Sequence, residues 1–138
     1  MKHIYNDGGR AASGYKGSTG DCAVRAAAIA TGKSYRQIYN RINEISKSEK
    51  TKQKSNARTG VYRKTFDKLM IEEGFEWISC MSIGSGCTVH MKSDELPTGT
   101  LIVRLAKHYA VVVNGECHDT HDCTRNGTRC VYGYWIKN

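Results

Sequence analysis

The stretch Gly20-Asp21-Cys22-Ala23-Val24-Arg25-Ala26-Ala27-Ala28-Ile29-Ala30-Thr31-Gly32 decides how the rest of the chain is read. Asp21 is a good side-chain acceptor for the first free amides of a helix, and Gly32 supplies a left-handed stop. Between them only Arg25 and Thr31 are neither small nor apolar, so the pattern predicts a helix covered by other structure on most sides. That helix opens on a cysteine. A thiol in the first turn lies at the positive end of the helix dipole, which favours thiolate over thiol and makes a better nucleophile. The same residue type often does no more than fill space in a core, so the decision falls to a suitably placed histidine.

Working outward, residues 1–21 contain five glycines (8, 9, 14, 17, 20) with Tyr5, Arg10 and Tyr15 among them, and read as a loop leading up to the thiol. After the central helix, Ser34 to Gln37 forms a capping box, and Tyr35, Ile38, Tyr39, Ile42 and Ile45 then fall on one helical face. Residues 46–59 show no apolar periodicity and are expected to be a mobile, basic connection. A third helix is expected over 60–73, with Gly74 as its stop. The second half is rich in strand formers over 75–82, 88–91, 100–106, 108–113, 116–120 and 129–136. Helices followed by strands predict an α+β chain, N-terminal helices packed on a C-terminal antiparallel sheet.

The 138 residues are expected to form one domain with a core that needs no staples. Hydrophobic content of 39% and charged content of 25% are ordinary for a globular protein. No apolar run is long enough for a signal peptide core or a membrane span, so a cytoplasmic location without membrane partners is expected. In that compartment the six cysteines (22, 80, 87, 117, 123, 130) are expected to be reduced. The net charge of +8 is uneven: Arg41 to Lys64 carries eight Lys or Arg against two Glu. Such a run reads first as a solvated face.

Asn114-Gly115 between two β-rich runs is the strongest short hairpin signal. Pairing Val113 with Glu116 and counting outward sets Ala110 opposite Asp119 and His108 opposite His121, so His108 and Asp119 become diagonal neighbours on one face. A one-residue slip would turn Asp119 away. Cys22, His108 and Asp119 then supply a nucleophile, a base and a group that orients the base. The Cys22 backbone amide is the natural first oxyanion donor.

Asp21-Cys22 with its alanine-rich helix, together with His108-Tyr109-Ala110-Val111-Val112-Val113 and His118-Asp119-Thr120, resembles the papain-like cysteine peptidase superfamily, in particular the leader-cleaving peptidase domains of bacteriocin exporters. More narrowly, Gly14 to Gly17, Gly84 to Cys87, Asp94 to Pro97 and Gly127 to Trp135 are similar to a family of small proteins encoded by tailed bacteriophages. The first resemblance implies a papain-like fold and a cysteine hydrolase acting on a protein or peptide; the second implies an infected bacterial host. The chain departs from the papain pattern at one place. The Gln that usually precedes the nucleophile is absent, Lys16 stands six residues before Cys22, and no Gln occurs before Gln37. Lys16, Asn6 and the Asp21 segment are therefore the candidates for the oxyanion or substrate loop.

No cofactor is expected. The chemical alternative is a zinc site from Cys117, His121, Cys123 and Cys130, whose ligand types suit zinc although their spacing fits no standard pattern. Cys87, after a glycine-rich turn, is a rival nucleophile without a helix behind it, and His3 and His90 have no identifiable partner in the sequence. From other classes, the basic run with Tyr39 and Tyr62 offers a nucleic-acid-binding module, and the same fold without turnover offers a protein that blocks a host factor. Nothing in the sequence sets the oligomeric state.

Overall fold

The computed structural model describes residues 1–15, 20–48, 56–58 and 60–137. In chain order the elements are β1 (Lys2–Tyr5), α1 (Cys22–Thr31), α2 (Tyr35–Lys47), α3 (Arg63–Glu72), β2 (Glu76–Ser79), β3 (Thr100–Leu105), β4 (His108–Val113), β5 (Glu116–Asp119) and β6 (Gly133–Ile136). The strands form one six-stranded sheet in the order β1-β5-β4-β3-β6-β2. All neighbours are antiparallel except β1, which runs parallel to β5.

The local chemistry accounts for the helices. α1 stops at Gly32, whose N–H donates to the Ala28 carbonyl at 3.0 Å. α2 begins with both bonds of a capping box: the Gln37 N–H donates to Ser34 Oγ at 3.1 Å, and the Ser34 N–H to Gln37 Oε1 at 3.0 Å. Its apolar face buries Tyr35, Ile38, Ile42 and Ile45. On the opposite side Arg41 forks onto Glu72, joining α2 to α3. Phe66 of α3 stacks on Tyr109 of β4, with ring centroids 4.2 Å apart.

The sheet has two covered faces. Ile102, Val111 and Trp135 pack into the cluster formed by the three helices. Leu101, Val103, Ala110, Val112 and Cys117 point the other way and are covered by Met91, Leu96, Cys123 and Val131 from the connecting segments. Alternate residues of β3 and β4 thus meet two different apolar layers, which explains why these strands read as continuous apolar runs. The β4–β5 hairpin turns on Asn114 (φ 47°) and Gly115 (φ 80°), both left-handed as a type I′ turn requires. Val113 pairs with Glu116, Val112 with Cys117 and Val111 with His118.

Several expectations are corrected. Residues 2–5 are a strand, so the N-terminal segment is more than a loop and the sheet is mixed, not wholly antiparallel; a lone four-residue strand carries too little periodicity to show itself. Residues 46–47 belong to α2, with Ser46 buried, and Ala57 is fully buried with its N–H donating to Asn43 Oδ1 at 3.0 Å. The remainder of the expected mobile connection, 49–55 and 59, lies outside the described residues. The third helix starts at Arg63 instead of residue 60, and of 88–91 only His90 pairs, in an isolated bridge to Cys130. Cys87 and Cys130 form a disulfide, so the chain is not fully reduced. A pairing across 43 residues leaves no mark in the local sequence. Among the described residues, no helix is long and apolar enough to cross a membrane.

Gly133 opens β6 beneath the Trp77 ring, and a Cβ there would lie 2.4 Å from Trp77 Cζ2 and 2.7 Å from the Ile78 carbonyl oxygen. Backbone cannot yield as a flexible side chain would. Gly133→Ala is expected to lower stability by about 1–3 kcal/mol, as overpacking does, measured as a fall in the denaturant midpoint with an unchanged slope.

Candidate active site

Asp21 occupies the N-cap position of α1, but its carboxylate caps nothing. It is 1% exposed and is taken up by ion pairs to Arg10 (Nε to Oδ2, 3.0 Å) and Arg25, and by the hydroxyl of Tyr35, which donates to Oδ2. Charge-assisted partners of this kind outcompete neutral backbone amides. The expected capping role of Asp21 is therefore corrected. Its work is to hold the start of α1, and Cys22 is the first residue of that helix, half-buried and unbridged.

The hairpin delivers the other two groups. His108 is the first residue of β4 and Asp119 the last of β5, and His108 Nε2 lies 2.6 Å from Asp119 Oδ2. Asp119 is 4% exposed. Its Oδ1 accepts from the Thr120 N–H at 2.7 Å and lies 3.6 Å from an Arg25 guanidinium nitrogen. Its backbone carbonyl accepts from the Asn6 N–H at 3.0 Å and from His3 Nε2 at 2.9 Å. Arg25 thus joins Asp21 to Asp119, and β1 fixes the backbone that carries Asp119.

The electrostatics are graded across the site. Burial alone would push the Cys22 thiol up, but hydrogen bonding to His108, the His108 charge, the Tyr109 backbone and the Arg25 charge outweigh it and hold the thiol below its ordinary range. Burial alone would likewise lower the His108 ring; hydrogen bonds to Asp119, Cys123 and Cys22, with the Cys22 charge, push it up to about 11. Asp119 is held below the usual carboxylate range, the His108 hydrogen bond and charge overcoming its burial. Cys123 contrasts with Cys22: a hydrogen bond with Cys117, the sulfurs 3.6 Å apart, and burial hold its thiol far above the ordinary range. The arrangement favours a thiolate on Cys22 beside an imidazolium on His108.

Cys22 and His108 share the wall of a cleft of about 330 Å³, whose described lining includes Gly20, Arg63, Arg104, Lys107 and Tyr109. Asn6 is not part of that lining; its Oδ1 accepts from the Gly8 N–H and its Nδ2 lies 3.4 Å from His118 Nδ1. Lys16 lies outside the described residues. The quartet Cys117, His121, Cys123 and Cys130 does not converge, because Cys130 is bridged to Cys87 while Cys117 and Cys123 are buried in the layer across the sheet from the helices. The same bridge removes Cys87 as a rival nucleophile. Among the described residues, the group able to hold a metal is His108, Asp119 and His121, whose ligand atoms lie within 4.8 Å of one another. His3 and His90 both have partners, His90 Nδ1 lying 3.1 Å from Glu95 Oε1. From the sequence, Arg25 and Arg10 have no role at the site, and Tyr35 has a place only on the apolar face of α2. For Arg25 a signal was present: a lone cation in the middle of an otherwise apolar helix needs a buried partner.

Comparison with family models, with curated proteins and with solved structures finds no match to this chain, so the chemistry is argued from its own residues.

Because its pKa is depressed, the Cys22 thiolate persists as pH falls through the ordinary thiol range and is lost only at the lower value. Iodoacetamide is expected to modify Cys22 at neutral pH well ahead of Cys80 and Cys123, and His108→Ala to move the acid limb of its pH–rate profile upward toward that of an ordinary thiol. Equal labelling of these thiols would contradict the assigned electrostatics. Arg25→Met takes one charged partner from each of two buried carboxylates and is expected to cost about 3 kcal/mol, read by denaturant unfolding.

Proposed function

We propose that this chain is a cysteine hydrolase of papain-like type that cleaves a peptide or amide bond through Cys22, His108 and Asp119. The observation that carries the reading is the meeting of three residues from α1, β4 and β5, with the His108–Asp119 contact at 2.6 Å and the Cys22 thiol depressed by the same histidine. The resemblance to tailed-phage proteins supports the cytoplasm of an infected bacterium as the place of action and a host or phage protein as the substrate. The Cys87–Cys130 disulfide runs against that location, since such bonds persist mainly in oxidising compartments.

In the reaction, Cys22 Sγ attacks the scissile carbonyl carbon while the proton it has lost resides on His108. The Cys22 backbone amide, at the positive end of α1, stabilises the charge that develops on the carbonyl oxygen. Collapse of the tetrahedral adduct breaks the C–N bond. His108 gives its proton to the departing amine, leaving a thioester on Cys22. A water molecule then adds to the thioester carbonyl, His108 takes its proton, and the acid departs as the proton returns to the Cys22–His108 pair. Asp119 orients the ring through Nε2, which leaves Nδ1 to exchange protons with the thiol, and it stabilises the cation. Peptidase, deamidase and transferase chemistry share the first of these steps.

The test is a panel of peptide, ubiquitin-like and glutamine-containing substrates assayed with the wild-type protein and Cys22→Ser. Turnover abolished by Cys22→Ser, and lowered by a factor on the order of 10²–10⁴ in His108→Ala, is the expected result. Asp119→Asn is expected to reduce the rate with the fold intact. Turnover that survives Cys22→Ser would overturn the reading.

A further inference from the structure

The cleft that holds Cys22 does not end at the thiol. Arg63 and Arg104 line it and also line a second basin of about 410 Å³, so the two cavities share these residues as a common wall. The second basin is walled by Trp77, Met81, Ile83 and Tyr132, with Ser79 and Ser82 beside them. Ile83 is fully exposed and Met81 partly so. Apolar side chains left in water at the end of a cationic channel are features that packing does not require.

The charge at the junction is one-sided. Arg63, Arg104 and Lys107 line the thiol cleft, and none of its described lining residues is acidic. Asp67 lies 3.8 Å from Arg63 and within the field of Arg104, outside the lining itself. Arg63 is also held in place, its guanidinium lying 5.4 Å from the centre of the Trp77 ring. A planar donor fork fixed over an aromatic ring is suited to a carboxylate.

We propose that the two cavities form one substrate groove that takes an extended peptide, with a carboxylate at Arg63 and Arg104 and a neighbouring apolar side chain against Trp77, Met81 and Ile83. The proposal rests on the hydrolase reading for its chemistry and on charge complementarity for its occupant. The carboxylate comes from an Asp or Glu side chain or from a chain terminus, and both present the same group to the arginines. The apolar residue supplies contact area and the carboxylate supplies register.

The experiment uses the whole chain as Cys22→Ala and measures binding of fluorescent peptides, so that it does not depend on turnover. One pair of peptides differs only in Glu against Gln beside a leucine; a third carries that leucine at a free C-terminus. The Glu peptide, the free-terminus peptide or both are expected to bind about tenfold tighter than the Gln peptide, and whichever does so identifies the source of the carboxylate. Arg104→Gln is expected to erase the difference. Arg63→Glu supplies the second variant: Arg63 is exposed at the first position of α3, where an acid suits the helix dipole and offsets the lost Asp67 and Trp77 contacts; with a native unfolding transition as the check on folding, the Gln peptide becomes the preferred one. Equal binding of all three peptides, or displacement of the Glu peptide by an oligonucleotide at lower concentration than by itself, would overturn the groove. Failure of every hydrolysis assay with the acidic preference intact would instead overturn the reaction and leave the groove standing.

Discussion

A carboxylate buried beside Cys22 is the constraint on which the rest depends. Removing Asp21 from water costs several kcal/mol unless its oxygens are fully engaged. The chain meets that demand from three directions: Arg10 from the segment after β1, Arg25 from within α1 and Tyr35 from the start of α2. Arg25 then extends the network to Asp119 on β5. Asp21 and Cys22 are adjacent, so the interactions that immobilise the carboxylate also fix where α1 opens and where the sulfur lies. A helix tip and a hairpin eighty-odd residues later are thereby held in one frame, which apolar packing of α1 on the sheet alone would orient less strictly.

Within that frame, two thiols that share His108 as a neighbour are driven in opposite directions by the rest of their surroundings. Cys22 faces a cationic ring and an Arg25 charge and is depressed; Cys123 shares a proton-rich contact with Cys117 in an apolar layer and is raised. His108 is hydrogen-bonded to both and lowers both, but at Cys123 the Cys117 contact and burial outweigh it. Asp119, held below the usual carboxylate range by the His108 hydrogen bond and charge against its burial, favours the charged ring in turn. The lowered thiol of Cys22 is therefore a property of position, set by its charged and hydrogen-bonding neighbours, and not of cysteine as a residue type.

How much of this was legible in the sequence follows from which interactions are local. α1 with its Gly32 stop, the α2 capping box and the Asn114-Gly115 turn are encoded within a few residues, and each stands as expected. The turn also set the register, and through it the proximity of His108 and Asp119. What escaped is non-local. β1 exists because β5 offers it an edge, the Cys87–Cys130 bridge depends on how the segments covering the sheet are laid down, and the fate of the Asp21 carboxylate is decided by Arg10 and Tyr35, neither adjacent to it. The basic lining of the cleft gathers Arg63, Arg104 and Lys107 from two distant parts of the chain, so no composition window could have displayed it.

The central claim is that Cys22 and His108 exist at neutral pH as a thiolate–imidazolium pair, and nitrogen NMR of the His108 ring reads this most directly. The account predicts both ring nitrogens protonated at neutral pH in the wild-type protein, with a titration midpoint that falls on Cys22→Ser because the stabilising negative charge is gone. A neutral ring at that pH, or a midpoint indifferent to Cys22→Ser, would contradict it.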